Sequence, residues 1–282
     1  MKLARYGVPG KERPAVIDAE GLPRDVSGII QDWSGSGLSD ASMNGLAEIN
    51  LSKLPTISPD TRIGSPIADP SKIICIGLNY VDHAKEAGLP TPAEPIVFLK
   101  GCRPTGPNDD VYLPRGSAKG DWEVELGIVI GKPGIYIPEA SAKDHVLGYT
   151  LVNDLSEREY QMERGGQWTK GKSFPGFAPI GPFIATRDEI PNPEKLPIWL
   201  DVNGHRYQDS STSNLIFGID KIVSYVSSFF QLEAGDIIAT GTPPGVGLGI
   251  KPTPVFLKAG DRIELGIEGL GRQRQKVHAW KE

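Results

Sequence analysis

Glycine and proline interrupt this chain so often that few long regular elements can form. The 34 glycines and 25 prolines of its 282 residues are spread without a period or a low-complexity block. That distribution excludes a collagen-like repeat and argues against wholesale disorder. What it permits is a turn-rich globular protein of short strands. Apolar residues make up 39% and charged residues 23%, enough for an ordinary core at this length. At ~150 residues per domain there is room for one large domain, or for a full domain with a smaller companion.

The balance of 35 acidic against 30 basic side chains gives a formal charge of −5. No basic run interleaved with aromatics occurs, so nucleic-acid binding lacks its electrostatic footing. No apolar stretch approaches the ~20 residues of a membrane span, and the N-terminus lacks the apolar region of a signal peptide. A cytoplasmic protein with no membrane partner is the expectation. Cys75 and Cys102 make neither a disulfide framework nor a zinc site.

Residues 1–69 are polar and loop-rich, with one candidate strand at Pro14-Ala15-Val16-Ile17-Asp18, and read as a small N-terminal domain. A Pro-bearing junction, Ile67 to Lys72, leads into a more apolar remainder, 70–282. There Ile73-Ile74-Cys75-Ile76-Gly77 and Pro95 to Lys100 have the length and continuity of buried strands. Asp121 to Ile130 alternates, with Trp122, Val124, Leu126, Ile128 and Ile130 on one face and Glu123 and Glu125 on the other. Asn203-Gly204 between Leu196–Val202 and His205–Asp209 is a hairpin signature. Two helices are expected. One runs from Ile219 through Phe230 and closes at Gly235; the other starts at Ser156, with Glu159 completing a capping box. The fold class is mostly β with a few helices, an α+β chain.

Chemistry concentrates in four places. Glu123 and Glu125 share a strand face, where like charges need water or a cation between them. For a lone pair of glutamates, a solvated outer face is the plain reading. Asp154, ending the apolar run Gly148 to Asn153, adds a third carboxylate, and three such oxygen ligands suit Mg²⁺, Mn²⁺ or Ca²⁺. Arg158 and Gln161, three apart, and then Lys172 supply donors for an anionic, oxygen-rich ligand. His83 and Glu86 are spaced for a carboxylate to orient an imidazole general base, against the plainer reading of an exposed helix pair. The loop Gly241-Thr242-Pro243-Pro244-Gly245-Val246-Gly247 matches neither the phosphate-loop nor the dinucleotide pattern. It is either a tight turn or a rigid loop that offers the Thr242 hydroxyl and backbone N–H groups to a ligand.

Taken together and in this order, these stretches resemble the fumarylacetoacetate hydrolase family. They span residues 73 to about 249. The resemblance implies a β-roll-like catalytic domain over 70–282, homodimeric, with Mg²⁺ or Mn²⁺ held by Glu123, Glu125 and Asp154. It also implies that Arg158, Gln161, Lys172 and Thr242 grip a 2-oxo acid, while His83 with Glu86 handles water or a proton. The Gly166-Gln167-Trp168 segment is most similar to members acting on 2,4-diketo-3-deoxy sugar acids of the rhamnonate or fuconate type. The expected reaction is hydrolysis of the C3–C4 bond to pyruvate and a hydroxy acid such as lactate. Gln167 and Ser173 are the polar residues expected to reach the sugar hydroxyls. An acylpyruvase, an oxaloacetate decarboxylase or an enol–keto isomerase would use the same site, and a non-catalytic metal- or sugar-binding module is the alternative from another class. The chain departs from the common family pattern at Gly101-Cys102 after Lys100, and at Pro175-Gly176-Phe177.

Overall fold

The computed structural model describes residues 1–88 and 90–281, so residue 282, the end of the expected catalytic domain, lies outside them. In chain order the strands are β1 (Lys2–Tyr6), β2 (Arg13–Ile17), β3 (Pro23–Asp25), β4 (Ile73–Gly77), β5 (Ile96–Lys100), β6 (Val111–Tyr112), β7 (Gly120–Asp121) and β8 (Val124–Ile130). They continue as β9 (Val146–Asn153), β10 (Ser156–Glu157), β11 (Ile184–Thr186), β12 (Pro197–Val202), β13 (His205–Ser211), β14 (Ile237–Ala239), β15 (Arg262–Ile267) and β16 (Gly271–His278). Four short α-helices accompany them: α1 (Asp40–Ala47), α2 (Val81–Ala87), α3 (Thr169–Lys172) and α4 (Ile219–Val226). The mostly β, α+β class holds.

One sheet of nine strands, ordered β3-β2-β1-β11-β9-β8-β14-β4-β5, forms the centre. It is antiparallel except where β14 runs parallel to β4. A five-stranded sheet, β13-β12-β15-β16-β6, lies beside it. The two-residue period of the central strands divides the interior into two cores. Ile74 and Ile76 of β4, Leu126, Ile128 and Ile130 of β8, and Ile238 of β14 share one apolar cluster with Ile198, Leu200, Ile263 and Leu265 of the second sheet. Ile73, Cys75, Val129, Ile237 and Ala239 point the other way and join Trp33, Leu38, Leu46 and Ile67 from the first 69 residues. Both faces of β4 and β8 are therefore buried. That is why β4 reads as a continuous apolar run. Removing one such side chain, as in Ile74→Ala, costs roughly 2–5 kcal/mol.

β1 pairs antiparallel with β11, so hydrogen bonding crosses the expected boundary at 69/70. The Asn203-Gly204 turn forms as read, with φ of 53° and 79° at the two residues, the positive pair that a tight hairpin turn requires.

Both helix expectations need correction. α4 ends at Val226, and Gly235 belongs instead to the turn before β14, where its N–H donates to Ile130 O. Ser227 caps the helix, with an N–H that donates to Val223 O and an Oγ that donates to Ser224 O and accepts the Ile137 N–H. Phe229 is left exposed. Ser156 does not cap a helix. It lies in β10 opposite Asp121, and the chain then makes a single π-type turn at Glu159–Glu163. Beside that turn Glu157 accepts the Tyr160 N–H, while Ser156 is held in strand pairing with β7.

Candidate active site

The acidic triad is assembled by strand register. Glu123 and Glu125 stand two residues apart, so both point away from the Trp122, Val124 and Leu126 core and share the opposite face. The β8–β9 ladder sets Val124 opposite Asn153, which brings the following residue, Asp154, alongside Glu123; the Asp154 N–H donates to Glu123 O at 2.9 Å. Carboxylate oxygens of Glu123, Glu125 and Asp154 all lie within 4.8 Å of one another, and all three residues are buried. The outer, solvated strand face that a lone pair of glutamates suggests is not what forms.

Buried like charges need compensation. Lys172 Nζ bonds Glu123 Oε2 at 2.6 Å and Asp154 Oδ2 at 2.9 Å. Lys100 donates to the other oxygen of Asp154 and to Leu155 O. Arg158 spreads its fork over three acceptors: Asp121 Oδ2 at 2.8 Å, Gln161 Oε1 at 2.9 Å and Glu123 Oε1 at 2.7 Å. Burial alone would raise the Glu123 carboxyl, but Lys172 and Arg158 outweigh it and hold it at about 2. Glu125 is different. Burial, then Asp154 and Glu123, push it well above the usual carboxylate range, opposed by Lys172 and one backbone N–H, that of Gly241. Lys172 is held above its ordinary value because Asp154 and Glu123 overcome its own desolvation.

The glycine-rich loop acts on the site's own carboxylates. Gly241 N–H donates to Glu125 at 2.8 Å, Gly245 N–H to Glu86 at 3.0 Å, and the Gly247 and Leu248 N–H groups to Asp121 at 2.7 and 3.0 Å. Of the two readings of this loop, a tight turn or a platform offering N–H groups to a ligand, the structure shows these N–H groups orienting acidic side chains from three different segments. Two of the glycines are obligatory: a Cβ on Gly245 would stand 1.8 Å from Tyr207 O, and one on Gly247 1.9 Å from Val255 O. The Thr242 hydroxyl is likewise engaged, donating to Val124 O and accepting from Gln208 Nε2.

α2 carries His83 and Glu86. The imidazole Nδ1 lies 3.1 Å from Glu86 Oε2, and both side chains are partly exposed. These two, with Glu123, Glu125, Arg158, Gln161, Lys172 and Thr242, line one cavity of about 560 Å³, whereas Asp154 lies behind the wall. Gln167 and Ser173 do not line it. Gln167 Oε1 accepts the Thr169 N–H and Ser173 Oγ accepts the Gly101 N–H. Asp121 and Lys100 complete the charge cluster, Asp121 accepting from Arg158 and Lys100 donating to Asp154. Asp121 shares the parity of Glu123 and Glu125, a signal that was available. Lys100, closing an apolar strand, offered only its place at the strand end.

Buried, paired charges and a His–carboxylate pair thus line one cavity. Residues 72–278 match the fumarylacetoacetate (FAA) hydrolase C-terminal family, and the chain belongs to it. A relative from Burkholderia multivorans, named only as a hydrolase, is 54% identical over 280 residues, covering 99% of each chain. Among solved structures, fumarylacetoacetate hydrolase from Exiguobacterium antarcticum is 36% identical with a TM-score of 0.85, over 99% of this chain and 100% of that one. Maleylpyruvate hydrolase from Sphingobium sp. SYK-6, in complex with manganese(II) and pyruvate, is 29% identical with a TM-score of 0.81, covering 100% of both. No helix among the described residues is long and apolar enough to cross a membrane.

Proposed function

We propose that this protein is a metal-dependent hydrolase that cleaves the C3–C4 bond of a 2,4-dioxo acid, releasing pyruvate and a second carboxylic acid. One observation carries the reading: part of a buried acidic triad and a His–carboxylate pair face the same cavity. A binding module needs no base, so the pair argues for catalysis.

The donor set fits a hard divalent cation. Four buried carboxylates, Asp121, Glu123, Glu125 and Asp154, meet three buried cations, Lys100, Arg158 and Lys172. Glu125 is the carboxylate that no side-chain cation bonds among the described residues. Mg²⁺ or Mn²⁺, held by Glu123, Glu125 and Asp154, would make up the shortfall with oxygen ligands both ions favour. When bound, such an ion supplies Lewis-acid stabilisation of negative charge on substrate oxygens.

The chain's own residues do the rest. Gln161, whose Oε1 is occupied by Arg158, keeps its amide N–H₂ for the 2-oxo acid end. Thr242 and Lys172 bound the same end. Glu86 on Nδ1 of His83 leaves Nε2 as the basic nitrogen. Water adds its oxygen to C4 while His83 Nε2 takes the proton. The C3–C4 bond then breaks, its electron pair passes to C3, and protonation there gives pyruvate. General-base help of this kind is typically worth ~10²–10⁴-fold.

The resemblance at Gly166-Gln167-Trp168 favours a 2,4-diketo-3-deoxy sugar acid of the rhamnonate or fuconate type, and the positions of Gln167 and Ser173 lend it no support. An acylpyruvase would differ only in the tail. A decarboxylase or isomerase would need no attacking water. The solved maleylpyruvate hydrolase with pyruvate bound supports hydrolysis, while solved relatives named as isomerases are equally similar, so the choice rests on the His83–Glu86 pair at the cavity. The test is pyruvate release from a panel of 2,4-dioxo acids with Mg²⁺ or Mn²⁺, with and without chelator. Release that chelator abolishes is expected; no release from any member would overturn the reading.

A further inference from the structure

β14 accompanies β8 only part of the way. The ladder runs from Ile237 opposite Val129 to Ala239 opposite Gly127, and Thr240 then donates its N–H and its hydroxyl to Leu126 O. Gly241 turns away at φ +100°, and Pro243 and Pro244 have no N–H with which to continue. The end of β8 beside Glu123 and Glu125 therefore has β9 on one side and, among the described residues, no strand on the other. A buried strand end cannot leave its peptide groups unpaired without a cost.

Two side chains take the place of that strand. Val124 N–H donates to Gln208 Oε1 at 3.0 Å, and Val124 O accepts from the Thr242 hydroxyl at 2.9 Å. Gln208 Nε2 in turn donates to Thr242 Oγ1 and to Pro243 O, both at 2.8 Å. The partners fix which way the amide points. Val124 N–H can only donate and Pro243 O can only accept, so Oε1 must face the first and Nε2 the second. One amide thus ties the peptide between the two glutamates to the 241–248 loop. Gln208 lies in β13, the edge strand of the five-stranded sheet, is 0% exposed, and stands outside the cavity lining. It can influence the site only through what it holds.

Val124 joins Glu123 to Glu125, so a shift of its peptide groups moves both carboxylates. We propose that Gln208 is a positioning residue for Glu123 and Glu125: it holds Val124 directly through the N–H and indirectly, through Thr242, at the carbonyl. The consequence for a metal ion rests on the reading above that these carboxylates hold a divalent cation.

The test measures Mg²⁺ and Mn²⁺ affinity by calorimetry in wild type, Gln208→Met, Gln208→Asn and Leu200→Ala. Gln208→Met keeps the length and removes the amide. Gln208→Asn keeps a buried amide that is one methylene too short to reach Val124 and Thr242 together, and serves where the methionine variant does not fold. Both should weaken binding of either ion by ~10–100-fold, the cost of losing a residue that orients metal ligands. Leu200, buried and apolar, stands opposite Gln208 in β12. Leu200→Ala should lower Tm by loosening the same sheet, yet leave metal affinity at the wild-type level, which separates positioning from general support of the fold. Amide hydrogen exchange in the metal-free protein reads the clamp without the ion. Either Gln208 variant should exchange faster at Glu123 and Glu125, with Ile128 and Val129 as protected as in wild type. That local change, in a protein whose wild type binds neither ion, would retain the positioning role and reject the cation reading. Wild-type affinity in the Gln208 variants, an equal loss in Leu200→Ala, or unchanged exchange at Glu123 and Glu125 would overturn the proposal.

Discussion

Glu123 and Asp154 share a single counter-ion: the Lys172 ammonium bonds both, at 2.6 and 2.9 Å. The β8–β9 register makes the two carboxylates neighbours, with Arg158 bonding Glu123 and Lys100 bonding Asp154 on their other sides. Glu125, on the same face, is not bonded by Lys172. That asymmetry makes Glu125 the carboxylate most in need of an added cation.

Glu125→Gln should therefore weaken Mg²⁺ and Mn²⁺ binding most while sparing the fold, because the amide oxygen can still accept the Gly241 N–H. A loss of at least about tenfold is expected, since even residues that merely orient metal ligands cost ~10–100-fold when removed. Calorimetry that finds wild-type affinity for both ions would refute the ligand assignment.

Lys172→Met should destabilise the protein by roughly 3–5 kcal/mol, the cost of breaking a buried ion pair and leaving its partner uncompensated. Lys172 is 1% exposed, so solvent cannot take its place. Urea unfolding in the presence of chelator measures this, and an unchanged midpoint would contradict it.

The two glutamates should give stability opposite pH dependences. Glu123 is held at about 2 against an ordinary 4.5, so its contribution is complete above pH 4.5 and is lost as pH falls toward 2. Glu125 is raised above 4.5. Its folded form keeps a proton that the unfolded chain releases, so its contribution is complete below that pH and is lost as pH rises through the folded value. Unfolding free energies of the metal-free protein, followed from acid to neutral pH, should rise less steeply in Glu123→Gln than in wild type and more steeply in Glu125→Gln. The reverse order would show that the charges are compensated otherwise.

His83→Ala should abolish pyruvate release while leaving metal and oxalate binding nearly intact, since neither needs the imidazole. Glu86→Gln should keep part of the activity, because an amide oxygen can still hold Nδ1 and accept the Gly245 N–H. A folded His83→Ala protein with full turnover would move the base elsewhere.

Gly245→Ala should be among the most disruptive single methyl additions. The residue sits at φ +99° with Tyr207 O 1.8 Å from where a Cβ would be. Backbone strain of this kind costs ~1–3 kcal/mol before any clash is counted. Differential scanning calorimetry should show a clear fall in Tm, with activity falling too because Glu86 loses its backbone donor. Wild-type Tm and activity would mean that the loop has room to move.

The features legible in the chain were those carried by short-range chemistry. Asn203-Gly204 specifies its turn because both residues tolerate positive φ. The apolar runs Ile73–Gly77 and Pro95–Lys100 identify buried strands because both their faces need partners. Glu123 and Glu125 share a face because side chains alternate with a period of two. Helix ends were less legible, since the partners of Ser156 and Ser227 include residues far along the chain, Asp121 and Ile137. Only the tertiary structure decided which charges meet. Strand register, not spacing, sets Asp154 beside Glu123, and close packing against Tyr207 and Val255 turns the N–H groups of the 241–248 loop toward Glu125, Glu86 and Asp121. A carboxylate's surroundings are made by segments distant along the chain, from Lys172, 49 residues from Glu123, to Gly241, 116 from Glu125. A side chain's type is written in the chain, but the burial and counter-charges that set its protonation exist only once those segments have packed.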